Sequence, residues 1–193
     1  YVHLDKRPPL GTEYLLDLID AMKEHKQITF EYKKFYDNSI TLRHAEPYVL
    51  KEFKNRWYFV ALDLADNRLK TFALDRLLNL QITDISFCEP KDFDANEYFK
   101  YCFGIVRPEN AVVEEVKLSF TPQQGKYIKS LPLHATQKII IDNDDEFVIT
   151  LSIFITYDFI QEILQFGDEV KVLKPNSLVK TIKHIHRNAL RRY

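Results

Sequence analysis

Residues 56–77, RWYFVALDLADNRLKTFALDRL, leave little choice of local structure. The dense apolar run from Arg56 to Asp63 carries Trp57 and Tyr58 side by side, and such residues suit a pleated, half-buried strand. Asp66-Asn67 has turn chemistry, because these short side chains bond their own backbone and tolerate left-handed geometry. Arg68 to Leu74 reads as the returning strand, and Asp75-Arg76 closes the motif. Arg56, Arg68, Lys70 and Arg76 lie among Trp57, Tyr58, Phe59 and Phe72. Cations interleaved with aromatic faces suit an anionic ligand carrying flat groups, such as a nucleotide or a nucleic-acid strand.

The flanking sequence extends this pattern. Residues 1–10 read as irregular, and Thr12 is placed to cap a helix to about Lys26. Tyr14, Leu15, Leu18, Ile19 and Met22 form its apolar stripe. Gln27 to Lys33 alternates as a half-buried strand does, and Asp37-Asn38-Ser39 turns the chain. Thr41 to Phe53 is a longer strand, bent or interrupted at Pro47, which has no N–H to donate to a ladder. Lys54-Asn55 turns into the aromatic stretch, and Leu78 to Phe87 supplies a further strand. One helix followed by about five short strands is expected to form a small, strongly bent sheet or barrel.

The order changes downstream. Asp94 to Phe103 reads as a short helix ending near Gly104, and Pro108-Glu109-Asn110 as a linker. Val113 to Phe120 is a strand, Thr121-Pro122 starts a helix, and Leu133 to Ile141 and Phe147 to Ile155 are strands. A helix from Asp158 to Phe166, stopped by Gly167, and a strand from Glu169 to Leu173 complete a βαββαβ ferredoxin-like order. A last helix covers about Asn176 to Arg192, with Leu178, Ile182, Ile185 and Ala189 on one face. The expected class is therefore mainly β plus α+β: an N-terminal segment and helix (1–26), a barrel domain (27–107) and a ferredoxin-like domain (111–193), divided between about Gly104 and Val112.

Composition narrows the function. A net charge of −1 gives no bulk pull toward nucleic acid, yet residues 174–193 hold six Lys or Arg and no acid. Lys180, Lys183, Arg187, Arg191 and Arg192 on the last helix read either as a solvated face or as a docking surface for nucleic acid or an acidic domain. Four glycines allow no phosphate-binding loop and no nucleophile elbow. His184 and His186 diverge on a helix, and no HExxH occurs. Asp142, Asp144, Asp145 and Glu146 lack the Gly and final Glu of a calcium loop and read as a hairpin turn. No nucleophile stands with a base at readable spacing, so no enzyme, cofactor or metal is expected. Two cysteines without a CxxC pattern suit a reducing, cytoplasmic setting, and no run of about 18 apolar residues exists to span a membrane. The start, YVHLDKRPPL, lacks an initiator Met, and an N-terminal part of a longer protein is expected before it.

Trp57-Tyr58-Phe59 resembles the core of the WYL family, named for a Trp-Tyr-Leu run, with Phe59 in place of Leu. Lys70, Phe72, Leu74, Asp75, Arg76 and Leu77 resemble the family's second half, with Lys70 for a frequent Arg and Ala73 where a basic residue is common. Ile28, Phe30 and Tyr32 look like its first strand, and Arg43, four before Pro47, like its Arg-x-x-x-Pro segment. Residues 131–137 and 166–175 and the closing helix are similar to the WCX domain that commonly follows.

The resemblance implies a bacterial transcriptional regulator with an Sm- or SH3-like sensor barrel, generally dimeric. Its duplex-DNA-binding winged helix-turn-helix lies outside this chain. Some members respond to single-stranded DNA or nucleotide-like ligands. On this reading Tyr32 and Tyr58 stack on or hydrogen-bond the ligand, while Arg43, Arg68, Lys70 and Arg76 hold phosphate, Arg76 from a corner kept by Asp75. Two other readings stay open. The same cations pair with Glu46, Asp63, Asp66 and Asp75 as surface salt bridges, or the chain is a structural dimerisation module with no ligand.

Overall fold

The computed structural model describes residues 10–88, 90, 92–110 and 112–193. The irregular stretch expected at the N-terminus lies, through residue 9, outside the described residues. The chain is mixed α and β with two antiparallel sheets, of five and four strands. It divides into two units after Ala95.

The first unit runs through a 3-10 turn (Thr12–Tyr14), α1 (Leu15–Lys23), β1 (Lys26–Lys33), β2 (Ile40–Phe53), β3 (Arg56–Asp63), β4 (Arg68–Ala73), a second 3-10 turn (Leu74–Arg76) and β5 (Leu77–Ser86). Sheet order is β4-β3-β2-β1-β5. The expected barrel thus takes the form of one sheet whose edge strands, β4 and β5, are joined by the 3-10 turn. Lys54 and Asn55 both adopt positive φ, as a two-residue hairpin between β2 and β3 requires. The β2–β3 register slips between Pro47 and Val49, so the strand bends where its proline cannot bond.

Period-two alternation sends Ile28 and Phe30 from β1, Ala45 from β2, Phe59 and Ala61 from β3 and Phe72 from β4 into one core with Leu18 and Ala21 of α1. The rings of Phe30, Phe59 and Phe72 meet at 5.1–5.6 Å between centroids. Trp57 packs against this cluster, half-buried. The same alternation makes Asp63 point inward, because it stands two residues beyond Ala61.

The helix start differs from the expected Thr12 cap. Gly11 adopts φ 82°, Thr12–Tyr14 is a 3-10 turn, and α1 begins at Leu15 with no side-chain cap. A tertiary contact sets this geometry: a Cβ on Gly11 would lie 2.2 Å from the Leu74 carbonyl oxygen. Only glycine allows so close an approach in this backbone conformation.

In the second unit β6 (Glu114–Phe120), α3 (Pro122–Ser130), β7 (Lys138–Asp142), β8 (Phe147–Ile153), α4 (Tyr157–Leu164) and β9 (Val170–Lys174) give the order β7-β8-β6-β9, the ferredoxin-like arrangement. The Thr121 hydroxyl accepts from the Gln124 N–H to cap α3. Gly125 lets that helix lie against β8, where an added Cβ would meet Phe147 Cβ at 2.4 Å. The strand expected from Leu133 begins only at Lys138. Side chains claim the intervening backbone: Gln137 Oε1 accepts from the Leu133 N–H, and His134 Nδ1 from the Thr136 N–H.

The helix expected over 94–103 is short, α2 (Ala95–Phe99), and the division after Ala95 precedes the expected 104–112 stretch. Packing explains the difference. Tyr101 O accepts from the Phe154 N–H at 2.8 Å, His134 Nε2 lies 3.2 Å from Cys102 O, and Phe103 meets Phe159 edge-on at 5.3 Å. The final helix, α5 (Asn176–Leu190), buries Leu178 and Ile182. Ile185 is half-buried and Ala189 exposed, so its apolar face is shorter than the sequence suggests.

Candidate functional site

Three strands converge on Asp63. Ala45 of β2 pairs with Asp63, and Ala61 of β3 pairs with Lys70 of β4. Arg43, two residues before Ala45, therefore shares the inward face with Asp63 and Lys70. Asp63 Oδ2 accepts from Arg43 Nη1 at 2.9 Å and from Lys70 Nζ at 2.7 Å. Its Oδ1 accepts from the Ala65 N–H at 3.0 Å. The Asp63 side chain has no solvent exposure, whereas those of Arg43 and Lys70 are 20% and 31% exposed. The carboxylate lies beneath two cations that still reach water.

Electrostatics follow this geometry. Burial works against the Asp63 carboxylate. Hydrogen bonds from Lys70 and the Ala65 amide, with the charges of Lys70 and Arg43, outweigh it and hold the pKa below the ordinary value. Burial also works against the Lys70 charge, but bonds to Asp63 and Asp66 raise its pKa above the usual lysine value. Arg43 donates through Nε to Thr41 Oγ1 at 3.1 Å and through Nη1 to Asp63, leaving Nη2 with no bond to a described residue. Lys70 uses two of its three protons, on Asp63 and on Asp66 at 2.6 Å.

The other expected residues take different positions. Tyr32 on β1 sits at the rim of the aromatic core, edge-on to Phe72 at 5.1 Å, and its hydroxyl accepts from the Ala73 N–H at 3.2 Å. Arg68 is exposed at the register position opposite Asp63. Tyr58, half-buried, is on the other face of β3 and is separated from this cluster. Arg76 lies in the second 3-10 turn, its guanidinium 4.0 Å above the Phe35 ring. Its Nε is buried without a hydrogen-bond partner.

Asp75 does not brace Arg76; it faces Arg56 at 3.7 Å. Of the four expected phosphate ligands, Arg43 and Lys70 share one carboxylate, Arg68 neighbours them in register, and Arg76 forms a corner of its own. The sequence offers Asp63 only as one of four surface salt-bridge partners, whereas here it is a buried anion shared by two cations. Its signal was the position itself, a carboxylate in the inward phase of Trp57, Phe59 and Ala61. Phe35, in a turn, carried no comparable signal.

Elsewhere, Lys180, Lys183 and Arg187 of α5 are exposed. The acidic segment between β7 and β8 is a turn in which Asn143 Oδ1 accepts from the Asp145 and Glu146 N–H groups. Asp145 and Glu146 line a cavity of about 420 Å³ with Asp168, Glu169 and Lys171, a lining more acidic than basic and unsuited to an anion. No helix among the described residues is long and apolar enough to cross a membrane.

Comparison with known families matches residues 13–82 to the WYL domain and residues 113–190 to the WCX domain. The chain belongs to the WYL-domain regulator family. Its WYL domain holds both Asp63 and Arg76. No match is found among curated proteins. Among solved structures, the CRISPR Cas-related protein is similar over 95% of this chain and 52% of its own, at 13% identity and a TM-score of 0.56. Proteasome accessory factor B/C of Arthrobacter aurescens is similar over 94% of this chain and 27% of its own, at 22% identity and a TM-score of 0.45. The chain thus spans about half and about a quarter of these proteins.

Proposed function

We propose that this WYL–WCX chain is the ligand-sensing part of a bacterial, cytoplasmic transcriptional regulator. Its ligand is anionic and nucleotide-like, a nucleotide or a short single strand of nucleic acid. The observation that carries the proposal is the junction at Asp63: two cations from different strands are fixed side by side, partly exposed, with donors to spare and an aromatic rim nearby. Rigid strands hold Arg43 and Lys70, so little entropy is lost when they grip a phosphate. Arg43 Nη2, which has no bond to a described residue, is the donor for it, Lys70 supplies a second contact, Arg68 adds charge at the edge, and Tyr32 offers a ring. Tyr58 and Arg76 contact more distant parts of a longer ligand. Duplex DNA is bound by a domain outside this chain, and the working form is a homodimer. Ligand changes the regulator only through differential affinity for two arrangements of it.

The test is titration of the chain with short single-stranded oligonucleotides at two salt concentrations. Saturable binding that weakens with salt is the expected result, since phosphate neutralisation releases counterions. Absence of binding by all oligonucleotides and by nucleotides would remove the proposal.

The ion pairs themselves favour a second reading, that the chain is a structural dimerisation module. Asp63 occupies Arg43 and Lys70, and Asp75 faces Arg56. A dimer whose mass is unaffected by Arg43→Ala, with no ligand bound at any salt concentration, would support that reading over the first.

A further inference from the structure

The second unit carries two surfaces of opposite charge that its own residues leave unbalanced. On α5, Lys180, Lys183, Arg187 and Arg191 recur at intervals of three, four and four residues. On a helix that spacing makes one stripe. Leu178 and Ile182, the residues that α5 buries, lie on the opposite side. All four cations are exposed, and none meets a carboxylate of a described residue. No acid follows Glu169 in the chain, whereas a solvated surface ordinarily mixes both signs. Compensation of the helix dipole accounts for Arg187 and Arg191 at the C-terminal end, but not for Lys180 in the second turn. The other surface is the cavity of about 420 Å³, where Asp145, Glu146, Asp168 and Glu169 face one cation, Lys171. Four carboxylates against one ammonium leave three negative charges in excess. Glu146 Oε2 accepts from the Ser119 hydroxyl at 2.8 Å and Glu169 Oε2 from the Thr121 hydroxyl, so these two are bonded but not neutralised. The carboxylates of Asp145 and Asp168 make no bond to a described residue.

We infer that the second unit pairs with that of another copy of the chain, the Lys180–Arg191 stripe of each α5 lying across the acidic cavity of the other. The inference rests on the homodimer proposed above and on no ligand; it names the surface that forms the pair. Charge complementarity selects the occupant. A nucleic acid would suit the stripe and be repelled by the cavity, and a basic peptide would suit the cavity alone. A second copy satisfies both surfaces with residues the chain already holds. A two-fold arrangement makes the contact twice and closes the pair. The cavity admits side chains rather than a helix, so the guanidinium groups of Arg187 and Arg191, about 6 Å apart along the axis, enter it. Their planar forks match carboxylate oxygens in pairs. Leu190, 76% exposed and three residues beyond Arg187, adds apolar contact beside the stripe.

The experiment measures the mass of the full chain by light scattering over a dilution series at low and high salt. The unaltered chain is expected to be a dimer that weakens with salt. Two charge-reversed chains are then compared: Arg187→Glu with Arg191→Glu in the stripe, and Asp145→Lys with Asp168→Lys in the cavity. All four positions are exposed, and unfolding curves show that each chain is folded. Each reversal alone sets like charges together at both contacts and should raise the dimer dissociation constant by on the order of a hundredfold. An equimolar mixture of the two should recover the dimer, because the reversed stripe meets the reversed cavity and the unaltered stripe meets the unaltered cavity. Lys180→Glu with Lys183→Glu serves for the stripe where the arginine pair does not fold. Reversed chains that dimerise as the unaltered one does, or that mixing fails to restore, overturn this inference and leave the homodimer standing. Loss of duplex-DNA binding by the stripe variant with its dimer intact gives the stripe to nucleic acid and also overturns it. An unaltered chain that is monomeric at every concentration overturns the homodimer and this inference together, and leaves the ligand proposal untouched.

Discussion

The junction at Asp63 and the corner at Arg76 hold similar side chains by different means. At the junction, Arg43 and Lys70 come from two strands and share one carboxylate with no exposure. At the corner, Arg76 stands in a one-turn link, stacked on Phe35, a turn residue that is itself 57% exposed. Its nearest acid in sequence, Asp75, is directed to Arg56. Backbone register fixes the first arrangement, and one surface ring holds the second. The contrast teaches that a cation's worth to the fold depends on what lies under it, and that the two regions should respond unequally to removal of their acids.

The largest expected effect is on stability. Asp63→Ala leaves two half-buried cations without their shared anion and should cost about 3 kcal/mol, the low end for breaking a buried pair, since both cations retain some water. Asp75→Ala should cost less than about 1 kcal/mol, because its partner Arg56 is 60% exposed and distant. Urea unfolding of both variants checks the ordering. Equal losses would erase the distinction between junction and corner.

Next is affinity. Arg43→Ala should weaken binding of a short single strand by about 1.5–3 kcal/mol, the range for a charge-assisted hydrogen bond. Arg76→Ala should weaken it by less than half as much, because that guanidinium is engaged with Phe35. Calorimetric titration of the two variants sharpens the comparison. Matching losses would join the corner to the ligand path and restore the equal role that the sequence motif suggests.

Acid should separate the regions without mutation. The Asp63 pKa lies below its ordinary value in the folded chain, so its contribution to stability is fully present above the unfolded value of about 3.9. That contribution is lost as pH falls through the lower, folded value. Stability from the junction should therefore stay level from pH 8 to about pH 5 and decline below about pH 4. Lys70 works in the other direction: its raised pKa keeps its contribution whole below about pH 10 and surrenders it above. Chemical unfolding across pH, with Asp63→Asn as the reference, should show a shallower acid decline in the variant. An identical decline would assign acid sensitivity to other carboxylates.

These regions also differ in how well the sequence revealed them. Strands β3 and β4 were legible because aromatic alternation, a two-residue turn and Asp66-Asn67 all agree on their limits. The βαββαβ order was legible for the same reason, with Gly167 and Thr121 marking helix ends. Less legible were features set by contacts distant in sequence. The Gly11 start depends on the Leu74 carbonyl, and the division after Ala95 depends on Phe103 reaching Phe159. Asp63 falls between these cases. Its place at the end of β3 and its pairing with basic residues were readable, but as a surface ion pair rather than a buried one. What local pattern cannot supply is the cation arriving from β2, twenty residues earlier in the chain.

The smallest expected effect tests the corner directly. Phe35 offers the Arg76 guanidinium a ring face at 4.0 Å, a cation–π contact worth about 0.5–1 kcal/mol at an exposed site. Phe35→Ala should therefore lower unfolding free energy by about that much, and Phe35→Leu, which keeps apolar cover but no π face, by nearly as much. Arg76→Ala in the Phe35→Ala background should cost less than it does alone, because the two side chains share one interaction. The double-mutant cycle isolates that term. A coupling energy near zero would mean that the ring merely lies over the guanidinium, and that Arg76 is held by the Leu74–Arg76 turn alone. In that case the corner would be fixed by backbone, as the junction is, and the contrast between the two regions would rest on Asp63 only.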